Sequence, residues 1–557
     1  MDKTWLKHYP NGVPAEIDVA RYPSLVAMFD ESFRRYADKP AYKFMGKSLA
    51  FRDIDAASAA FAAYLQSLGL ARGDRVAVML PNVPQYPVAV AAILRAGLVV
   101  VNVNPLYTAR ELEHQLKDSG AKAIVVLENF GSVLAKVMSA VPTKKVILAA
   151  MGDMLGFPKS HIVNYVVRKV KKMVPAFELP GAVRFNDALA EGRGKPLQPV
   201  EVGPDDIAVL QYTGGTTGVS KGAVLLHRNL VANILQAEAW YQPALKKIPA
   251  GEQIVTICAL PIYHIFGFNA NMMLAIRMGG ANILIPNPRD LPAVFKALKG
   301  EKFHSFPAVN TLFNAMANHP EFSSVDWSGL VISVGGGMAV QSATAKLWLD
   351  KTGCPIVEGY GLSETSPSAT CNPVDSDAFS GNIGMPMPNT ELKLLDDDGN
   401  EVPPGTPGEI AIRGPQVMAG YWQRPDETAK VMTADGFFRS GDIGTVDERG
   451  FFSIVDRKKD MILVSGFNVY PNEVEEVVTQ MPGILECAVV GVKDEKAGEA
   501  VKLVIVKKDP AVTEAEVRAY CEANLTGYKR PKVVEFRADL PKTPVGKILR
   551  RELRDKA

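Results

Sequence analysis

Between Phe51 and about Glu358 the chain alternates two apolar patterns, and this alternation limits the fold more than any other feature. FRDIDAASAAFAAYLQSL spaces its apolar residues along one face of a helix, whereas RVAVML is a short continuous apolar run. VPQYPVAVAAILRAG is helical again and is followed by the run LVVVN; AIVVL, KVILA, IAVLQY, IVTICAL and ANILI continue the series. A short run that is apolar throughout suits a strand with helices above and below it, the environment of a parallel sheet. The expected class is therefore α/β, with mainly parallel sheets flanked by helices. At 557 residues the chain exceeds a single core, so two or more domains are expected.

The pattern changes twice. Between Ser380 and Val455 glycine, proline and short β-patterned runs dominate (NTELKLLD, GEIAIRG, GFFSIVD), which reads as a small β-rich, barrel-like subdomain over about 380–455. From Lys459 the helical EVEEVVTQM, the strands CAVVGV and AVKLVIVKK and the helical EAEVRAYCEANL follow. Such an α+β stretch of roughly 100 residues can form a small mobile lid. The expected division is 1–458 and 459–557, with the charged run DRKKD (Asp456–Asp460) as a solvated turn at the junction.

Composition removes several function classes. The net charge is only +2, without the basic excess of a nucleic-acid binder. The five cysteines (Cys258, Cys354, Cys371, Cys487 and Cys521) are scattered and include no C-x-x-C. This argues against a disulfide framework or zinc site and fits a reducing, cytoplasmic setting. MDKTWLKHYPNGVPAE has no apolar core of a signal peptide. The longest apolar stretch, Val88–Val101, is interrupted by Arg95 and Gly97 and is shorter than the roughly 20 residues of a membrane span; a helix followed by a buried strand explains it better. KSHIVNYVVRKVKKM (Lys159–Met173) combines Ile162, Val163, Val166, Val167 and Val170 with five basic residues. It reads either as a surface helix packed on its own domain or as one lying in an anionic membrane surface, the cytoplasmic face of an inner membrane.

The segment YTGGTTGVSKG (Tyr212–Gly222) carries the clearest chemistry. Gly214, Gly215, Gly218 and Gly222 allow sharp turns and close approach of the backbone to a ligand, and consecutive N–H groups can then surround phosphate oxygens. Thr213, Thr216, Thr217 and Ser220 add hydroxyl donors and Lys221 a point charge; Tyr212 and Val219 complete the segment. The spacing differs from G-x-x-x-x-G-K-[ST], so a P-loop NTPase is not implied. GVSKG matches G-x-S-x-G, but TGGTTG separates Ser220 from the preceding strand and the next helical pattern starts near His227. That is poor geometry for a nucleophile elbow.

Further segments, in order, are PIYHIFG (Pro261–Gly267), GGGM (Gly335–Met338), EGYGLSET (Glu358–Thr365), GFFRSGD (Gly436–Asp442), IVDRKKDMILVSGFNVYPNEVE (Ile454–Glu475) and PKTPVGKILRREL (Pro541–Leu553). With the phosphate loop they resemble the acyl-adenylate-forming (AMP-binding) superfamily over nearly the whole chain. The block Gly436–Glu475 is similar to the signature of bacterial long-chain fatty-acid–CoA ligases of fatty-acid degradation. The resemblance implies ATP-dependent joining of a fatty acid to coenzyme A through an acyl-AMP, feeding beta-oxidation.

Adenylation brings a carboxylate against a triphosphate, so positive charge has to be concentrated at the α-phosphate. The resemblance implies that Lys547 is the catalytic lysine, aided by Lys221, and that Glu364 and Thr213 hold Mg²⁺. It implies that Tyr212–Gly222, Gly336, Glu358, Gly359, Tyr360, Gly361, Asp442 and Arg457 bind ATP or AMP. Tyr360 would stack on the base, and Asp442 would bind the ribose hydroxyls, a suitable task for a carboxylate. His264 reads as a gate beside the carboxylate or as a core histidine. The family's aromatic acyl gate corresponds to a place near Phe268, which is not tryptophan. Lys459 matches the lid hinge, and Ser465, Gly466 and Phe467 match the stretch that meets the CoA thiol arm. The resemblance also admits a homodimer. Other readings are a medium-chain, aryl or aminoacyl substrate within the superfamily, a serine hydrolase using Ser220, and a non-catalytic acyl carrier.

Overall fold

Two large, mostly parallel sheets organise the fold, with two smaller sheets after them in the chain. The computed structural model describes residues 3–213, 220–465, 467–494, 497–544 and 546–554. Among these residues the first large sheet runs in the order Gly420–Tyr421, Lys221–Leu226, Ile207–Thr213, Val99–Asn102, Arg75–Met79, Ala123–Leu127, Lys145–Ala149, Val183–Arg184. From Ile207–Thr213 onwards every pairing in it is parallel. The second runs Met385–Pro386, Ser368–Cys371, Ile356–Gly361, Ile332–Gly335, Ser305–Ala308, Val255–Cys258, Ala281–Leu284, Pro40–Phe44, Lys47–Ala50. It is parallel in its middle and antiparallel at both edges.

The apolar runs form these strands because both of their faces are covered. All four residues of Val99–Asn102 are buried, and helix Gln85–Arg95 buries Gln85 through Leu94. The stretch Val88–Val101 is thus a core helix followed by a core strand. Val78 and Val100 of the first sheet share one core with Cys258 and Leu284 of the second, joined by Phe61, Tyr86 and Phe268. Local signals set helix ends: Thr108 and Glu111 form a reciprocal capping box at the start of Ala109–Ser119, and Gly120 closes it in the left-handed region.

One strand lay hidden in the sequence pattern. Lys221–Leu226 pairs antiparallel with Ile207–Thr213, so the glycine-rich loop joins two strands, and the helix His227–Leu245 begins after the second. Segment 159–173 is α-helical over Lys159–Tyr165 and π-helical over Val166–Val170. Its apolar residues do not share one environment: Val167 is buried, while Ile162 and Val170 are exposed.

The β-rich part is a four-stranded antiparallel sheet of Glu391–Leu395, Gly408–Arg413, Phe438–Val446 and Phe452–Arg457. Its register sets Asp442 opposite Arg457. After it come the strands Ile462–Val464, Phe467–Val469, Ile484–Asp494, Gly498–Lys507 and Val533–Arg537, which form the last sheet. Helices Pro471–Thr479 and Glu514–Asn524 join this sheet in a core of their own, with Val474, Val478, Leu503, Ile505, Val517 and Cys521.

Candidate active site

The candidate residues come from the ends of strands in three sheets and from the loop before the C-terminal helix. Gly335 ends the strand Ile332–Gly335, Gly336 and Gly337 follow it, and Glu358–Gly361 closes the neighbouring strand. Glycine is needed at two of these positions. Gly337 has φ +78°, and a Cβ there would lie 3.2 Å from the Cε of Lys547. A Cβ on Gly361 would lie only 1.7 Å from the Pro367 carbonyl oxygen, so only glycine allows the chain to turn back there.

Lys547 sits in a tight loop in which its N–H donates to Thr543 Oγ1 at 3.0 Å and its carbonyl accepts from Thr543 N–H at 2.7 Å. Burial, and then the Arg457 guanidinium, push its ammonium down to about 8, against the pull of Asp442 and Glu364. His264 is also within its field: burial and then Lys547 hold its imidazole down at about 3, so the ring is neutral at pH 7. Its Nδ1 accepts the Phe266 N–H at 3.3 Å, which leaves Nε2 as the protonated nitrogen. Lys547, Gly337, His264, Arg457, Asp442 and Glu364 therefore gather around one centre.

Asp442 is buried. Its Oδ1 lies 3.3 Å from Arg457 Nε, and its Oδ2 accepts from Tyr360 Oη at 2.8 Å. Tyr360 is thus tied to the carboxylate expected at the ribose. Glu358 Oε1 accepts the Val340 N–H at 3.0 Å. Burial raises its carboxyl to about 8, with a smaller contribution from Glu476, so it is protonated at neutral pH.

Glu364 lies in the turn Ser363–Thr365. It is buried, which raises its carboxyl above the usual range, and it accepts from Tyr421 Oη at 2.8 Å. At the phosphate loop, Tyr212 Oη donates to Asp118 Oδ2 at 2.7 Å, and Ser220 Oγ donates to the Thr213 carbonyl at 2.6 Å. His114 approaches the carbonyl of Ser220 at 3.0 Å, not its hydroxyl, so no serine–histidine pair is formed there. Thr213 Oγ1 donates to the Lys221 carbonyl at 3.5 Å. A Cβ on Gly222 would press 3.0 Å from the ring of Tyr212. Gly214, Gly215, Thr216, Thr217, Gly218, Val219 and Gly466 lie outside the described residues.

Phe268 is fully buried at the start of the π-helical turn Phe268–Met273. Such turns are frequent at functional sites. Lys459 follows Arg457 in a turn closed by the Asp460 N–H on the Arg457 carbonyl at 2.9 Å. Ser465 and Phe467 belong instead to the hairpin Ile462–Val469. Ser465 N–H donates to the Ala497 carbonyl at 2.8 Å, and Phe467 is 56% exposed and stacked on Tyr528 with centroids 4.8 Å apart.

Three contributors carried no sequence signal: Asp118, Tyr421 and Glu427. Glu427 Oε2 accepts from Lys221 Nζ at 2.6 Å, and the same ammonium lies 4.8 Å above the Tyr421 ring. They lie 57 to 206 residues from the side chains they meet, beyond the reach of local spacing. No cluster of three or more His, Cys, Asp or Glu suited to a metal occurs among the described residues.

A family model described as AMP-binding enzyme matches residues 29–422, and one described as AMP-binding enzyme C-terminal domain matches 473–547. A long-chain-fatty-acid–CoA ligase of Escherichia coli O6:H1 (strain CFT073) is 56% identical over 558 aligned residues, covering 100% of this chain and 99% of that ligase. The crystal structure of ATP-bound MatB from Rhodopseudomonas palustris aligns with a TM-score of 0.80 at 30% identity, over 95% of this chain and 98% of that one. The anthranilate CoA ligase AuaEII, crystallised with anthranoyl-AMP, shares the fold with a TM-score of 0.83 at 24% identity, over 97% and 99% of the two chains.

Proposed function

We infer the chemistry from one premise: this chain belongs to the AMP-binding enzyme family. It is a long-chain fatty-acid–CoA ligase of the AMP-forming kind. Fatty acid and ATP give acyl-AMP and pyrophosphate; the CoA thiolate then attacks the acyl carbonyl and expels AMP.

The roles of individual residues are our proposal, and the single observation that carries it is the convergence of Lys547 with Glu364, Asp442, Arg457 and His264. Lys547, as ammonium, bridges the attacking carboxylate and the α-phosphate and offsets the charge that builds there. Asp442 and Arg457 hold the ribose, with Tyr360 fixing Asp442 from the other side. His264, neutral, borders the carboxylate without bringing a second cation beside Lys547. Lys221 and the glycine loop take the β- and γ-phosphates. Phe268, in its π-helical turn, controls the acyl path. Residues 1–458 act as the adenylate-forming domain and 459–557 as a lid turning about Lys459, which later brings Ser465, Gly466 and Phe467 to the CoA thiol arm.

Mg²⁺ suits this donor set. It takes oxygen ligands and is commonly held by one or two carboxylates together with substrate phosphates. Glu364 and Thr213 would hold it, and it would neutralise charge on the phosphates. A site completed by phosphate oxygens needs no all-protein cluster.

We also propose peripheral contact with an anionic lipid surface through 159–173. Phe157 is 87% exposed, and Ile162, Tyr165, Val170 and Met173 are exposed with it. Lys169, Lys171 and Lys172 are exposed beside them. No helix among the described residues is long and apolar enough to cross a membrane.

ATP–pyrophosphate exchange across fatty, aromatic and amino acids, followed by CoA dependence, tests the function. Exchange driven by long-chain fatty acids, with CoA-dependent release of AMP, is expected. Exchange driven only by aryl or amino acids would overturn the substrate class. ATP-independent ester hydrolysis with fluorophosphonate labelling of Ser220 would overturn the reaction.

A further inference from the structure

The phosphate-loop lysine is already occupied. Lys221 Nζ lies 2.6 Å from Glu427 Oε2 and 4.8 Å over the ring of Tyr421, whose hydroxyl donates to Glu364. Glu427 and Tyr421 are fastened to each other through one short helix. Glu427 belongs to the short helix Pro425–Val431, and Thr428 Oγ1 of that helix accepts the Tyr421 N–H at 2.9 Å. The strand carrying Tyr421 is paired to the strand carrying Lys221, with Tyr421 opposite Ala223. We propose that Glu427 is a positioning residue that holds the Lys221 ammonium while the site is empty, yields it to the β- and γ-phosphates of ATP, and retakes it as pyrophosphate leaves.

Two observations and one charge argument carry this. Both side chains are partly exposed, 29% for Lys221 and 34% for Glu427, and a pair so placed is weak and exchangeable. The competing partner is stronger, since a triphosphate brings several negative charges where Glu427 brings one. Glu427 also keeps a partner when Lys221 departs, because Lys430 Nζ donates to its other oxygen at 2.5 Å. No charge is then stranded by the exchange. The Tyr421 ring stays beneath the ammonium in the resting state and links this exchange to Glu364.

The inference rests on the reading of Lys221 as a phosphate ligand. Its consequence is confined to ligands that possess β- and γ-phosphates: ATP and pyrophosphate compete with Glu427, whereas AMP and acyl-AMP do not. In Glu427→Gln the KM for ATP and the inhibition constant of pyrophosphate should both fall, by about two- to fivefold for a partly exposed pair. Glu427→Ala should move both in the same direction. Inhibition by AMP, and thioester formation from supplied acyl-AMP, should not change. In a Lys221→Met background Glu427→Gln should have no further effect, since the two act through one contact. Unchanged or weaker binding of ATP and pyrophosphate in Glu427→Gln would overturn the proposal. An equal shift in AMP inhibition would also overturn it, by revealing a general structural role. If Lys221→Met itself leaves ATP and pyrophosphate binding unchanged, it is the underlying reading of Lys221 that fails.

Discussion

At the residue scale, the site sets ionisable groups away from their ordinary behaviour, and the causes can be separated. Lys547 is lowered to about 8 by burial and by Arg457, so the free enzyme loses this cation as pH rises through about 8. If the cation drives adenylation, kcat/KM for acyl-AMP formation should fall through that pH, because this ratio reports the free enzyme. Lys547→Ala should remove the alkaline limb and lower acyl-AMP formation by about 100-fold or more, while supplied acyl-AMP is still converted to thioester. Equal loss of both steps would refute the role. Glu358 behaves oppositely. Its carboxyl rises from an ordinary value to about 8 through burial, so the folded state holds a proton that the unfolded chain releases. The stability it contributes is present below about pH 4.5 and is lost progressively as pH rises to about 8. Glu358→Gln should flatten the pH dependence of Tm across that window, and an unchanged slope would reject the assignment. Glu364→Ala should weaken Mg²⁺-dependent pyrophosphate exchange; unchanged metal dependence would refute its part in holding the ion.

At the element scale, the segment 159–173 combines two tasks along one helix. Arg168 is tied by two bonds, of 2.8 and 2.9 Å, to the buried Glu128, and Val167 packs into the core; these residues fasten the helix to its domain. Lys169, Lys171 and Lys172 point to solvent with Ile162, Tyr165 and Val170. Reversing those three lysines to glutamate, and sparing Arg168, should abolish flotation with anionic vesicles without lowering Tm. Persistence of flotation would remove the membrane proposal. The periodicity of this segment was legible in the sequence, but the division of its apolar residues between core and solvent was not, because that depends on where Glu128, which also pairs with Arg184, meets Arg168. The strand Lys221–Leu226 was hidden for a related reason. A short apolar run directly before a helix is indistinguishable from the helix start until a partner strand offers hydrogen bonds.

At the scale of the whole molecule, the C-terminal region is docked with Lys547 buried against Gly337 of the preceding part of the chain. One helix, Asn310–Ala317, supplies much of the docking: Thr311 Oγ1 donates to the Gly546 carbonyl at 3.1 Å, and Asn314 Nδ2 donates to the Leu485 carbonyl at 2.9 Å. Lys508 reaches back to Asn318 just beyond the helix at 2.8 Å, and Arg289 donates to the Thr543 carbonyl at 3.1 Å. Each such bond contributes about 1 kcal/mol net, so Thr311→Val with Asn314→Ala should disfavour this docked state by up to about 30-fold. Acyl-AMP formation should fall while thioester formation from supplied acyl-AMP is retained or rises; loss of both in parallel would show damage to the fold instead. Within this C-terminal region Arg550 joins Glu475 at 2.8 Å and Asn472 at 2.6 Å, and it reaches the fully buried Asp456 at 3.4 Å. This ionic knot lies beside the expected hinge at Lys459.

The sequence by itself determined the α/β class, the order of the elements and the chemistry of the motifs. Strand and helix periods, glycine turns and hydroxyl-rich loops are local properties, readable a few residues at a time. It also brought Glu364, Asp442, Arg457 and Lys547 into one reading through their resemblance to a family. Only the tertiary structure decided which groups face them. Tyr421 meets Glu364 across 57 positions, Tyr212 meets Asp118 across 94, and Lys221 meets Glu427 across 206. Contacts of that kind are set by sheet register and by the packing of elements distant in the chain, and no period along the chain encodes them.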